Sequence, residues 1–191
     1  MGKPEKTVAW QTHSFTFLLA STIVACQKFS KMRLLFSLVL LISLQSFAGD
    51  TAKLYNPAAN VKKDVATAIA KAKKEGKHVL LQIGGNWCIW CYRYDGFVKA
   101  DTSLNRITKE NFVVYHLNYS PENKNLDYLK TLGFPQRFGF PVFVILDEKG
   151  QRLHTQDSGL LEKGKSYDEE KVKAFLKAWS PKALDEKNYK E

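Results

Sequence analysis

The sequence predicts an α/β fold, a central four-stranded mixed sheet with helices on both faces, from three observations. Segments with helical periodicity and short apolar runs follow one another in the order helix, strand, helix, strand, helix, strand, strand, helix. The run His78 to Ile83 is close to continuously apolar rather than alternating, the pattern of a parallel strand covered on both faces. The last two strands are separated only by Asp147-Glu148-Lys149-Gly150, a tight turn, which makes that pair antiparallel and the sheet mixed.

The elements follow in chain order. Residues 1–48 form a leader. Met32-Arg33, the apolar run Leu34 to Leu44, and the small residues of Ser46-Phe47-Ala48 have the layout of a secretory signal over 32–48, with Met32 as the expected start and cleavage after Ala48. A rival reading takes Val24-Ala25-Cys26 as a lipid-attachment site, and a third leaves the signal uncleaved as a membrane tether; Leu34 to Phe47 is short of the roughly 20 apolar residues a spanning helix needs. Residues 49–60 are a lead-in segment, and 61–180 the folded domain. Val61 to Lys74 repeats Val61, Val65, Ile69 and Ala72 at helical spacing and stops at Gly76. After the strand His78–Ile83, Tyr92 to Ala100 continues a helix that Gly96 should weaken or bend. Phe112 to Leu117 is the second strand, Asn125 to Leu132 a short helix closed by Gly133, Pro141 to Leu146 the third strand and Gln151 to Gln156 the fourth. Val172, Phe175, Leu176 and Trp179 mark a last helix over about Asp168 to Trp179, ended by Pro181, and 181–191 is a polar tail expected to fray.

Bulk composition narrows the function. A chain of 191 residues, 45% hydrophobic, is long enough for one domain with a real core. Loss of the leader removes five basic residues and one acid and lowers the formal charge from +10 to +6. The densest basic run, Lys62 to Lys77, lies on a helix whose other face is apolar, which reads as a solvated face and argues against nucleic-acid binding. Three cysteines, Cys26, Cys88 and Cys91, are too few for a disulfide scaffold.

Trp87-Cys88-Ile89-Trp90-Cys91 carries the chemistry. The motif sits where Val79 to Ile83 ends in Gly84-Gly85 and a helix begins, so Cys88 faces the unpaired N–H groups and positive dipole end of the helix, which favour its thiolate. Cys91, one turn on, is spaced to attack a mixed disulfide formed at Cys88 and release the partner. Two other readings stand beside this one. A structural bridge would close a very small loop and constrain the unfolded chain little. A zinc site would need two further ligands, and His78, His116 and His154 are scattered over different strands. Trp87 and Trp90 beside the thiols suit an apolar rim that contacts a partner, with Phe134, Phe138 and Phe140 as possible extensions or core residues, whereas Trp179 suits packing.

The order of elements, Trp87 directly before Cys88-Ile89-Trp90-Cys91, and Gly139-Phe140-Pro141 opening the third strand resemble the thioredoxin fold. The stretch Ala72 to Leu81 ahead of the motif is similar to exported bacterial thioredoxin-like proteins, including the soluble C-terminal domain of periplasmic thiol:disulfide interchange reductases. The resemblance spans roughly Asn60 to Trp179. It implies Cys88 as the attacking cysteine, Cys91 as the resolving one, Pro141 as a cis-proline facing the disulfide, and the backbone of Phe140 as the edge that aligns an extended substrate. Three departures accompany it. The family's common buried carboxylate, six positions before the first cysteine, falls on Gln82, which cannot shuttle a proton; His116 on the adjacent strand could take that role if its ring faces Cys91, or be an ordinary strand histidine. Ile89-Trp90 matches neither the dipeptide of thioredoxins nor that of the oxidising relatives, and Gly96 replaces a helix-kinking proline.

The expected activity is therefore that of an exported thiol:disulfide oxidoreductase, reducing or relaying electrons to partner disulfides in a bacterial periplasm, without cofactor or metal. Its partners are disulfide-bearing or dithiol proteins of the cell envelope, with the electron donor unspecified, and any membrane contact runs through the leader or a lipid on Cys26. A disulfide oxidase or isomerase, and a non-catalytic binding module, are the alternatives.

Overall fold

A computed structural model describes residues 53–190 of the chain. The elements in order are α1 (Val61–Glu75), β1 (His78–Gly84), α2 (Ile89–Ala100), α3 (Thr102–Asn111), β2 (Phe112–Asn118), α4 (Leu126–Thr131), β3 (Val142–Leu146), β4 (Arg152–Asp157), β5 (Glu162–Lys163), β6 (Ser166–Tyr167) and α5 (Glu169–Ala178). The leader, with the signal-like segment 32–48, Met32 and Cys26, lies outside the described residues.

The central sheet runs β2-β1-β3-β4, and β5 and β6 form a separate two-stranded hairpin. β1 pairs parallel with β2 and antiparallel with β3, and β3 pairs antiparallel with β4, so the sheet is mixed. All seven residues of β1 and all five of β3 are buried because helices cover both faces. Strand alternation assigns the faces. Val79, Leu81 and Ile83 join Val142, Val144 and Leu146 in a core with α1 and α4, whereas Leu80 joins Phe143 and Ile145 in a core with α2, α3 and α5. Gln82 points with Leu80, toward α2, which decides its contacts below.

Local signals explain most of the boundaries. Asn60 caps α1, accepting from Lys63 N–H, and Gly76 ends it at φ 64°, in the left-handed region that a side chain disfavours. Asp168 caps α5 by accepting from Glu170 and Lys171 N–H. α2 runs unbroken through Gly96, because packing on the sheet outweighs the small propensity cost of one glycine.

Three elements, α3 and the paired strands β5 and β6, are absent from the sequence reading. α3 carries only Leu104 and Ile107 as apolar inward residues, a weak periodic signal, and is started by Asp101, whose carboxylate accepts from Leu104 N–H at 2.8 Å. The β5–β6 hairpin has strands of two residues, too short to show a period, turned at Gly164 with φ 60°. The polar tail also differs from expectation: Lys182–Leu184 and Glu186–Tyr189 form short 3₁₀ turns, tied by Tyr189 Oη donating to Ala183 O at 2.7 Å and by Asp185 accepting from Lys187 N–H.

Candidate functional site

The motif begins where β1, a central strand, leaves the sheet. Gly84 and Gly85 make room for it. A side-chain carbon at Gly84 would collide with Cys91 Sγ and lie 2.9 Å from Tyr55 Oη; one at Gly85 would collide with the Trp87 indole and lie 2.6 Å from Tyr119 O. The chain then turns into α2 with Cys88 as its N-cap.

Cys88 and Cys91 form a disulfide. Cys91 N–H donates to Cys88 Sγ at 3.1 Å, so the first sulfur occupies the place where a capping oxygen normally satisfies the start of a helix. A negative charge on Cys88 is stabilised there by that N–H and by the aligned peptide dipoles. Cys88 is 4% exposed and Cys91 fully buried. The asymmetry suits a pair in which one sulfur meets a partner and the other answers from inside.

Aromatic residues border the pair. Trp87 is 55% exposed, donates Nε1–H to Tyr119 O at 2.8 Å, and meets Phe140 edge to face at 5.3 Å. Phe140 also packs on Tyr119 at 4.7 Å and against the cluster of Tyr55, Cys88 and Cys91. The peptide bond between Phe140 and Pro141 is cis, and Pro141 is buried at the head of β3. Trp90 divides its surface: one edge packs on Tyr167 at 5.7 Å, and the Arg93 guanidinium lies 4.6 Å above its ring. Ile89 is exposed, as are Phe134 and Phe138.

Behind the disulfide lies Tyr55, 1% exposed, which comes from the lead-in segment and was not among the residues singled out from sequence. Asn86 clasps it: Oδ1 accepts from Tyr55 N–H at 3.0 Å and Nδ2 donates to Tyr55 O at 2.8 Å. Tyr92 Oη donates to the same Asn86 Oδ1 at 2.9 Å and accepts from Leu54 N–H at 3.3 Å. Further along the segment, Asn123 Nδ2 donates to Pro57 O at 3.0 Å. Gln82 donates from Nε2 to Tyr55 Oη at 3.0 Å and to Cys91 O at 3.1 Å. Burial pushes the Tyr55 phenol well above its ordinary range despite the bond from Gln82, so it is a neutral hydroxyl at any working pH. A lone tyrosine in a polar stretch gives no sequence signal of this kind; its partners, Asn86 on its backbone and Gln82 on its hydroxyl, lie far along the chain.

His116 lies beside Gln82 in the β1–β2 register. Its ring meets Tyr55 edge to face at 5.6 Å and puts Nε2 3.7 Å from Asp95 Oδ1. Burial pushes the Asp95 carboxyl up, but His116 and the Lys99 ammonium at 2.7 Å outweigh it and hold the group below the usual carboxylate range. These residues line a groove of about 630 Å³ along the β2 edge, with Gln82, Tyr94 and Val114 among its walls. The other two histidines sit elsewhere: His78 Nδ1 is 2.9 Å from Trp179 O, and His154 stacks on Trp179 at 4.2 Å, which also accounts for Trp179 as a packing residue. Among the described residues no group of three or more His, Cys, Asp or Glu converges as a metal site, and no helix is long and apolar enough to cross a membrane.

Residues 60–148 match a thioredoxin-like family. A disulphide isomerase from Xylella fastidiosa Temecula1 superposes with a TM-score of 0.57 at 24% identity, covering 64% of this chain and 93% of its own. The C-terminal domain of DsbD from Neisseria meningitidis, in its oxidised form, gives 0.43 at 19% identity over 62% and 96% of the two chains. A thioredoxin from Thermus thermophilus gives 0.37 at 24% identity over 48% and 69%. No curated protein sequence matches the chain.

Proposed function

We propose that this chain, thioredoxin-like in its fold and in the sequence of residues 60–148, is an exported thiol:disulfide oxidoreductase that reduces, or relays electrons to, disulfides of partner proteins. One observation carries the reading: Cys88 Sγ caps α2 and accepts the N–H of Cys91, the residue to which it is disulfide-bonded. The geometry favours a thiolate on the sulfur nearer the surface and keeps its resolving partner one turn away.

The reaction follows from that arrangement. With the pair reduced, the Cys88 thiolate attacks a partner disulfide, forming a mixed disulfide and expelling one partner thiolate. Cys91, as thiolate, then attacks Cys88 Sγ; the intramolecular bond forms, the second partner sulfur leaves, and two electrons have passed to the partner. Trp87, Trp90 and Phe140 supply the apolar surface that seats the partner, and the Phe140–Pro141 backbone aligns it beside the sulfur. His116, beside Gln82 and packed against Tyr55, takes up the proton of Cys91 and passes it toward the groove it shares with Asp95. No cofactor or metal enters. Electrons arrive from a dithiol protein, because an oxidising compartment otherwise leaves the pair closed. The export reading rests on the signal-like segment 32–48, with lipidation at Cys26 or an uncleaved signal as the other forms of attachment.

Replacement Cys91→Ser tests the mechanism. The variant is expected to accumulate covalent complexes with disulfide-bearing proteins through Cys88, separable only under reducing conditions, and the parent protein to accelerate reduction of insulin by dithiothreitol. Absence of both would leave a fold that presents an aromatic surface without redox turnover. Direction is read from the equilibrium with glutathione: a potential below about −230 mV fits a reductase, and one near −120 mV fits an oxidase.

A further inference from the structure

Opening the Cys88–Cys91 bond places negative charge on a buried sulfur, and something in the protein must receive it. The backbone N–H at the start of α2 serves Cys88. Cys91 is fully buried and sits deeper, against Tyr55 in a cluster that also contains Cys88. Cys91 Sγ and Tyr55 Oη converge on the same point over Gly84, where an added carbon would touch both.

We infer that the Tyr55 hydroxyl is the hydrogen-bond donor that receives the charge on Cys91 each time the disulfide opens. The proposal deepens the redox reading above and names a residue outside the segment that matches the family. Three features support it. Gln82 donates to the phenol oxygen, so the oxygen already serves as an acceptor on that side, and among the described residues its own proton makes no hydrogen bond. A disulfide sulfur is a poor acceptor and a thiolate a good one, so the bond is made when the charge develops rather than before. Asn86 fixes the Tyr55 backbone at both its polar groups, so the hydroxyl is held in place without reorganising.

The step balances as follows. The thiolate of a dithiol donor attacks Cys88 Sγ, a donor–Cys88 disulfide forms, the Cys88–Cys91 bond breaks, and its electron pair goes to Cys91 Sγ, toward which Tyr55 turns its O–H. The donor's second thiolate then displaces Cys88, leaving the donor oxidised and the pair reduced. The phenol keeps its proton throughout, because burial makes its anion unfavourable. The other titratable groups facing this point are Asp95 on α2 and His116 on β2, with Tyr92 and Tyr167.

The test is the ionisation of Cys91 itself, followed by ¹³Cβ-cysteine NMR in the Cys88→Ala variant with and without Tyr55→Phe. The phenylalanine keeps the ring and removes only the oxygen. The expected result is a rise of about one unit in the Cys91 pKa and a roughly tenfold slower opening of the disulfide by dithiothreitol in the Tyr55→Phe single variant, the scale of one hydrogen bond to a charge. An unchanged Cys91 pKa overturns the proposal. Should the phenylalanine variant not fold, difluorotyrosine at position 55, a stronger donor of nearly the same shape, is expected to lower the Cys91 pKa, and no change there overturns it equally. The NMR measurement needs no partner protein, so its failure is distinguishable from failure of the proposed activity.

Discussion

Asn86 holds Tyr55 by both of its backbone polar groups, at 3.0 Å and 2.8 Å, and so fastens the segment before α1 to the loop that carries the cysteines. Replacement Asn86→Ala removes both bonds and the one from Tyr92, leaving partly buried groups unpaired. The expected cost is about 2–3 kcal/mol, at roughly 1 kcal/mol per bond. Urea unfolding measures it; a loss below about 0.5 kcal/mol would show that water replaces the carboxamide without penalty.

Two glycines are expected to respond in opposite directions to the same substitution. Gly84→Ala forces a methyl group into Cys91 Sγ and Tyr55 Oη and is expected to destabilise the protein by about 2 kcal/mol or more. Gly96→Ala, in mid-helix with nothing within 4 Å of the new carbon, is expected to stabilise it by about 0.5–1 kcal/mol. Thermal unfolding of the two variants side by side checks the pair.

Asp95 gives the stability a pH dependence of known sign. Its carboxyl is held below the usual carboxylate range in the folded protein, so between that value and about 4 the unfolded chain binds more protons. The contribution is fully present above the ordinary carboxylate value and is lost as pH falls through the folded one. In Asp95→Asn the acid limb of the stability curve is expected to be shallower than in the parent; superimposable limbs would show that His116 and Lys99 give the carboxylate no net support.

Trp87 is mostly exposed and anchored by one hydrogen bond and one edge contact, so truncation should cost partner binding more than stability. Trp87→Ala is expected to raise the KM for a protein disulfide several-fold while its melting temperature falls by no more than a few degrees. Kinetics with a small disulfide such as oxidised glutathione, which needs little apolar surface, are expected to change less.

The fold was legible because its signals are local. The apolar runs of β1 and β3, the stop of α1 at Gly76, and the spacing of Cys88 and Cys91 can each be read within a few residues. The element missed in mid-chain, α3, has two inward apolar residues and depends on Asp101 and on packing against its neighbours. At the site, Cys88, Cys91, Trp87 and Phe140 are neighbours in space. The ring of His116 lies edge to face with Tyr55 and puts Nε2 3.7 Å from Asp95 Oδ1, a setting that strand position alone does not reveal. Tyr55 was illegible for the plainest reason: its partners Asn86, Gln82 and Cys91 lie some 30 residues away, and nothing in its own neighbourhood marks it for burial.

The anchoring of Tyr55 also decides where this protein can be cut. A recombinant fragment trimmed to residues 60–148 would keep both sulfurs and discard the wall behind them, along with the terminal helix beneath β3. Expression boundaries for this chain belong upstream of Leu54 and downstream of Trp179, and a shorter version that proved inert would report on missing masonry rather than on the sulfur chemistry.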